Sequence, residues 1–436
     1  MYAAIKRELT DVWIGFCVWT GPRRPLAQAA RRKGTENFAI IGAAGLPWST
    51  SIISICGLAF LLGFLSTMKP ADFLRSLKHP ASLAALALCA LAVLGLFWAD
   101  GVPWSDRFRG ITPMAKLLGI PILIYAFGQS GRGRYVFYAF VASCTILMLY
   151  SWIALCWPSV SIHYKADQPG VPVKNYIDQS QGFVFCAFAL AAIAVETFRR
   201  KRPSLAILSA VIAIGLIANL AFVNVARTAL VYSPVLAAMF AYRYLGRRQF
   251  RIALPALAAL IAALWMVSPN LQHKVTAAFS EYKIAQSGQQ TTSVGQRLEL
   301  WSKSTEFFKA APIIGHGTGS AKPLLTRDAP KLAGSPIVGN PHNQTFLVAI
   351  QWGAIGILTL YAMWITHLLT FRGKGIVAWM GLVAVVQNIL SSLFNSHLSD
   401  FYQGWLYVIV VGIAAATLTQ TAPSREQSDQ PSPSSA

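Results

Sequence analysis

The sequence predicts an all-α polytopic membrane protein of about twelve transmembrane helices, with one long periplasmic loop that contains helices of its own. Of its 436 residues, 55% are hydrophobic and only 12% charged, too little polar surface to cover a soluble globule. Uncharged runs at 81–99 and 135–157 each match the roughly 20 residues needed to cross a hydrocarbon core. The basic residues, which give a net charge of +21, sit in short clusters between such runs and not along one amphipathic face. That pattern is a topology signal and argues against a nucleic-acid surface.

Residues 1–37 carry Lys6, Arg7, Arg23, Arg24, Arg31, Arg32 and Lys33 among brief apolar pieces, which predicts a cytoplasmic basic segment and no cleavable signal. Apolar runs read against basic punctuation then give spans near 50–66, 81–99, 111–128, 135–157, 182–198, 203–223, 228–242, 252–268, 344–371, 376–394 and 402–420. Phe38–Leu46 suggests one more, cut from the next run by Pro47. Loops with Lys69/Arg75/Lys78, Arg132/Arg134, Arg199 to Arg202, Arg243/Arg247/Arg248/Arg251 and Arg372/Lys374 hold fifteen Lys or Arg, and the alternating short loops hold five. The basic set is therefore expected inside, and a cytoplasmic amino terminus then requires an even number of crossings before residue 66.

The chain is expected to divide into the basic segment 1–37, spans over 38–268, a periplasmic loop domain at 269–341, spans over 342–420, and a disordered cytoplasmic tail at 421–436 rich in Ser, Pro and Gln. Within the loop domain, Leu298, Trp301 and Phe308 fall at helical spacing in Val294–Ala310, predicting an amphipathic helix near the membrane. Pro312 stops it, and the glycine-rich turn 315–319 follows. No internal repeat is present.

Arg227 is the only charge between Arg202 and Arg243, a stretch that must form two spans and a tight turn. A charge there costs roughly 2.5–3.5 kcal/mol if central, so it calls for an ionic partner or an aqueous pocket, unless it snorkels to the headgroups. Arg297 lies at the start of the loop's helix, where N–H groups and the dipole favour anions and a guanidinium fork suits phosphate. Its alternative is a surface helix with an Arg297/Trp301 stack. His342, in Asn340-Pro341-His342-Asn343-Gln344-Thr345, stands where the loop returns to the membrane. An imidazole there can take a proton at neutral pH, although a lone histidine is more often structural.

Other features are weaker. Arg107, Arg109 and Lys116 form a basic approach to the third run and either touch lipid phosphates or snorkel. Asp400 is one of few periplasmic carboxylates and could orient a partner or pair with an arginine. The 315–319 turn looks like a phosphate cradle, but no GxxxxGK[ST] exists in the chain. Asn343-Gln344-Thr345 matches a glycosylation acceptor by chance beside a span. No DxD, metal-ligand cluster or GxSxG occurs, so no metal or cofactor is expected and a diphosphate's charge falls to arginine. Cys56, Cys89, Cys144 and Cys186 lie in apolar runs without paired spacing and read as small core residues.

His342-Asn343, nine residues, then Gly353-Ala354-Ile355-Gly356 is similar to the histidine–amide–nine–glycine–two–glycine signature of bacterial O-antigen ligases. The 297–301 segment and the 312–319 turn resemble that family's periplasmic loop, and the motif-bearing resemblance covers about 220–405. It implies a metal-independent, inverting glycosyltransferase with a GT-C-like helical architecture in the inner membrane, its site facing the periplasm. The implied donor is O-antigen on undecaprenyl pyrophosphate, and the implied acceptor is the lipid A-core oligosaccharide. Arg227 and Arg297 would hold the pyrophosphate and His342 would serve as general base. Arg109, Lys116, Asn343 and Asp400 are expected to contact substrate. An O-antigen polymerase or protein O-oligosaccharyltransferase would share these residues. A lipid-linked glycan transporter would share the spans, but not the long loop with its histidine.

Overall fold

The computed structural model describes residues 25–166, 168–287, 292–327 and 339–421. The first part of the basic segment and nearly all of the expected tail lie outside them. The helices are α1 (Pro25–Gly45), α2 (Thr50–Thr67), α3 (Pro70–Leu77), α4 (Pro80–Leu94), α5 (Trp104–Ala115), α6 (Gly119–Phe127), α7 (Gly133–Cys156), α8 (Tyr176–Arg199), α9 (Pro203–Phe222), α10 (Arg227–Tyr244), α11 (Arg247–Val267), α12 (Pro269–Ser287), α13 (Ser293–Ala310), α14 (Ala321–Arg327), α15 (Gln344–Thr370), α16 (Ile376–Ser391) and α17 (Phe401–Thr421). No strand occurs among the described residues. Prolines open five of them, at the first helical position where a missing N–H costs nothing.

Among the described residues, eight helical runs are long and apolar enough to cross a membrane: α2, the run Trp104–Phe127 made by α5 and α6, α7, α8, α9, α11, α15 and α17. Counting α3 and α4, which meet at 86°, as one broken span gives nine. The remaining expected spans are helical but fall short of that test. The 16-residue α16 is nearly enclosed by its neighbours and needs little lipid-facing length. The 18-residue α10 carries Arg227 and Arg243 near its ends.

The boundary expected at residue 37 falls inside α1, which begins twelve residues earlier. Its polar half is neutralised: the buried Glu36 carboxylate meets Arg32 at 3.2 Å and Arg132 at 3.3 Å. Arg132 also donates to Asn37 Oδ1 at 2.6 Å. Those pairs let charged sequence join the bundle as helix.

The two ends of the bundle differ in kind. At one, Arg243 donates to the Gly373 and Gly375 carbonyls, Arg199 to the Tyr244 carbonyl, Arg32 to Gln129, and Gln420 to the Phe127 carbonyl. The basic loops thus gather there. At the other end lie α12, α13 and α14 with the turns before α8, α10, α15 and α17. Between them the core is filled by Trp352, Trp364, Trp379, Tyr232 and Tyr407, and the four cysteines read as core residues are buried.

One break shapes the functional end. α15 is interrupted at Gly353, whose φ of 59° and ψ of −150° suit glycine alone. The segment after α13 fills the gap in the helix ladder. Ala354 and Ile355 N–H groups donate to the Pro312 and Ile313 carbonyls at 2.8 and 3.2 Å, and His316 and Gly317 N–H groups donate to the Ile350 and Gln351 carbonyls at 2.9 and 2.8 Å. Thr318 N–H goes to the Gly95 carbonyl and Gly319 N–H to Gln351 Oε1, each at 2.8 Å. The glycine-rich turn is therefore a seam and not a phosphate cradle, because its donors are spent inside the protein. A Cβ on Gly353 would stand 2.5 Å from the Ile313 carbonyl. Gly353→Ala is expected to cost on the order of 3 kcal/mol, combining backbone strain with overpacking. A lowered thermal midpoint in detergent checks this, and an unchanged midpoint refutes it.

Candidate functional site

Arg227 is the first residue of α10, where a cation faces the positive end of the helix dipole and needs an anion. Glu281 on α12 supplies it, fork to fork, with Nη1–Oε2 at 3.0 Å and Nη2–Oε1 at 2.5 Å. The hydrogen bonds from Arg227 hold the Glu281 carboxyl below the usual range. The ionic partner that the sequence called for is thus present, but Glu281 was not itself legible, since pairing across 54 residues leaves no local pattern.

Arg297 projects from the first turns of α13, whose N-cap Thr292 accepts from the Gly295 N–H at 3.1 Å. Its guanidinium makes no hydrogen bond or ion pair among the described residues. Burial draws its pKa below the ordinary value and the Arg227 charge adds to that, while Tyr176 and Glu281 oppose it. A half-buried cation without a carboxylate of its own is an unmet demand for an anion. Trp301 is occupied elsewhere: its indole N–H donates to the Pro341 carbonyl at 2.9 Å and its ring meets Phe346, centroids 6.0 Å apart. This bond docks α13 against the residue preceding His342.

His342 has a φ of 50°, uncommon for a side chain-bearing residue and a form of strain that collects at functional positions. Its N–H donates to Asn340 Oδ1 at 3.0 Å and its Nδ1 lies 2.8 Å from Asn395 Oδ1. Asn395 Nδ2 in turn donates to Asp400 Oδ2 at 3.2 Å. Burial lowers the imidazole pKa, the Asn395 bond opposes this, and the Arg297 charge lowers it further. The ring is therefore neutral at pH 7 and able to accept a proton. Since the Arg227 charge acts on Arg297 and the Arg297 charge acts on His342, the three lie together at one end of the bundle.

Residues 212–361 of this chain match the family model for O-antigen ligase. Over that segment the chain resembles the O-antigen ligase and polymerase superfamily. The matched stretch carries Arg227, Glu281, Arg297, His342 and the Gly353 break, whereas Asn395 and Asp400 lie beyond it. No curated protein matches the chain.

The remaining predicted residues divide. Asp400 is brought to the cluster through Asn395, and burial pushes its carboxyl up to about 6, with Lys116 opposing and Asp178 adding. Lys116 is a buried strut, its Nζ donating to the Ser399 and Asp400 carbonyls at 2.8 and 2.6 Å. Asn343 caps α15: Oδ1 accepts from the Phe346 N–H at 3.1 Å and Nδ2 donates to the Leu393 carbonyl at 2.9 Å. Both ends of that amide are spent within the protein. Arg109, exposed on α5, pairs with Asp106 at 3.3 Å and makes no contact with the cluster among the described residues.

Sequence reasoning missed Asn395, Tyr176 and Lys274, the last with its Nζ 4.6 Å from the Tyr176 ring centroid. It also missed His397, fully buried, with Nδ1 3.3 Å from Gln181 Nε2 and Nε2 without a partner. Burial, with Arg297 and His342 nearby, pushes that imidazole down to about 3. The only available signal was the density of polar residues in Asn395-Ser396-His397. An apolar cavity of about 620 Å³, which none of the three cluster residues lines, opens among α1, α2, α5, α6 and α17. Phe60, Ile122, Trp405 and Ile409 line it, with Lys116 and Ser399 as polar members.

Proposed function

We propose that this protein is an O-antigen ligase of the bacterial inner membrane, with twelve crossings in a GT-C-like arrangement and its site facing the periplasm. It would transfer O-antigen from undecaprenyl pyrophosphate to the lipid A-core oligosaccharide. One observation carries the reading: an arginine held by a carboxylate, a second arginine lacking one, and a neutral histidine converge within the family-matched segment. Support for the topology comes from α1, α4, α10 and α16, which connect the same two bundle ends as the longer helices. The basic loops gather at the end opposite the cluster, as positive-inside topology requires.

In the proposed reaction His342 takes the proton of an acceptor hydroxyl as that oxygen attacks the anomeric carbon. The bond from that carbon to the diphosphate oxygen breaks, and its electron pair leaves on the diphosphate. Inversion follows from attack opposite the leaving group. Arg297 and Arg227 offset the charge that grows on the departing group, and the imidazolium later returns its proton to the diphosphate or to water. The apolar cavity offers a place for a lipid chain that stays in the bilayer during transfer.

The deciding assay incubates the purified full-length chain with undecaprenyl-pyrophosphate-linked O-antigen and one of three acceptors: rough lipopolysaccharide, a pilin-like protein, or none. Glycan is expected on lipopolysaccharide alone. Glycosylated pilin would make it a protein O-oligosaccharyltransferase, and chain growth without an acceptor would make it a polymerase. The rate is expected to be unchanged by EDTA, and inhibition reversed by one specific metal would contradict the mechanism.

A further inference from the structure

We propose that Asn395 is a positioning residue: it locks the His342 imidazole as the Nδ1–H tautomer, leaving Nε2 as the atom that receives the acceptor's proton. This rests on the reading of His342 as general base.

The amide's orientation is fixed from two sides. Asn395 Oδ1 accepts the Ser396 N–H at 3.0 Å, while Nδ2 donates to the Asp400 carboxylate at 3.2 Å. Reversing the amide would set an NH₂ against an N–H and an oxygen against a carboxylate, losing both bonds. The atom 2.8 Å from His342 Nδ1 is therefore an acceptor, and the ring satisfies it only by carrying its proton on Nδ1. The lone pair of the neutral ring then sits on Nε2, which makes no hydrogen bond among the described residues.

The loop that carries Asn395 is tied down independently of the histidine. Lys116, between α5 and α6, bonds the Ser399 and Asp400 carbonyls. The Ser399 N–H and hydroxyl both donate to Gln344 Oε1, at 3.2 and 3.1 Å, two residues beyond His342. Asn395 is thus held at both ends before any substrate arrives. The charged and titratable groups around the pair are few. His342 faces Arg297 from α13 and His397 from the same loop as Asn395, while Asp400 faces Lys116 and, from α8, Asp178. His397 does not compete for Asn395, because its Nδ1 faces Gln181.

An amide in this place orients the ring without putting a full negative charge beside it. A carboxylate would stabilise the imidazolium and hold the base protonated at higher pH. The double variant N395D/D400N separates these effects. It exchanges the amide and the carboxylate, so that the group at position 395 still accepts from Nδ1 and also accepts from the amide now at position 400. The hydrogen bonds are kept, but the charge moves next to the ring.

The test is a steady-state pH profile of glycan transfer by the full-length protein, together with ¹⁵N-histidine spectra. Asn395→Ala is expected to lower kcat roughly tenfold to a hundredfold, with KM changed by less than about twofold. N395D/D400N is expected to retain turnover and to move the acid limb up by roughly one pH unit. The native spectrum should show His342 protonated at Nδ1. A native Nε2–H tautomer overturns the proposal, as does a kcat and acid limb left unchanged by both variants. If His342→Ala itself transfers glycan normally, the base assignment is what falls, and the spectrum still judges the role of Asn395. The swap and the native spectrum also stand if Asn395→Ala fails to fold.

Discussion

Replacing His342 with alanine is expected to lower the maximal rate of glycan transfer by roughly two to four orders of magnitude, the usual contribution of a positioned general base. The protein should still insert and elute as the native species, because the side chain's hydrogen bond is to Asn395 and the core lies elsewhere. Alanine also meets strain at a φ of 50°, so His342→Asn is the cleaner companion, asparagine being more tolerant of left-handed backbone. Both should lose the same rate. In the native protein the neutral ring is the form expected to be active. Burial and Arg297 lower its pKa, so activity is expected to be full above the ordinary imidazole value of about 6.5 and to fall only as pH drops through the lowered one. Native-like turnover in both variants would remove His342 from the chemistry.

The second large effect is expected at Arg297. No carboxylate pairs with it directly, so a departing diphosphate would meet more of its charge than of Arg227's, which is already paired with Glu281. Arg297→Ala should therefore lower kcat/KM by about a hundredfold to a thousandfold, and by more than Arg227→Ala does. Arg297→Lys should recover little, because an ammonium cannot present two parallel donors to one phosphate. The reverse order of severity would show that Arg227 alone binds the leaving group.

Much of the architecture was readable because lipid imposes simple rules on length and apolarity. The segments read from 50–66 to 402–420 are all helical, and the loop helix begins one residue from where its spacing placed it. What escaped was long-range. Glu36 and Arg132 turn a basic, loop-like stretch into the first helix, but they lie 96 residues apart. Arg227 and His342 stood out because a charge in an apolar run and a histidine at a loop junction are local anomalies. Asn395 did not, because a loop asparagine is ordinary until its partner is seen. The motif glycine at 353 was visible as a pattern, yet its reason lies in the distant backbone of 312–317 that runs alongside it.

That sharing of backbone limits how this chain can be recombined with others. Since residues 312–317 complete a helix broken at Gly353, that segment and α15 are joined through their backbones. A chimera meant to change glycan preference by transplanting 269–341 alone would join a foreign edge to a native gap. Carrying the donor's sequence through position 356 moves both halves of the joint together, and with them the distance between His342 and the guanidinium groups.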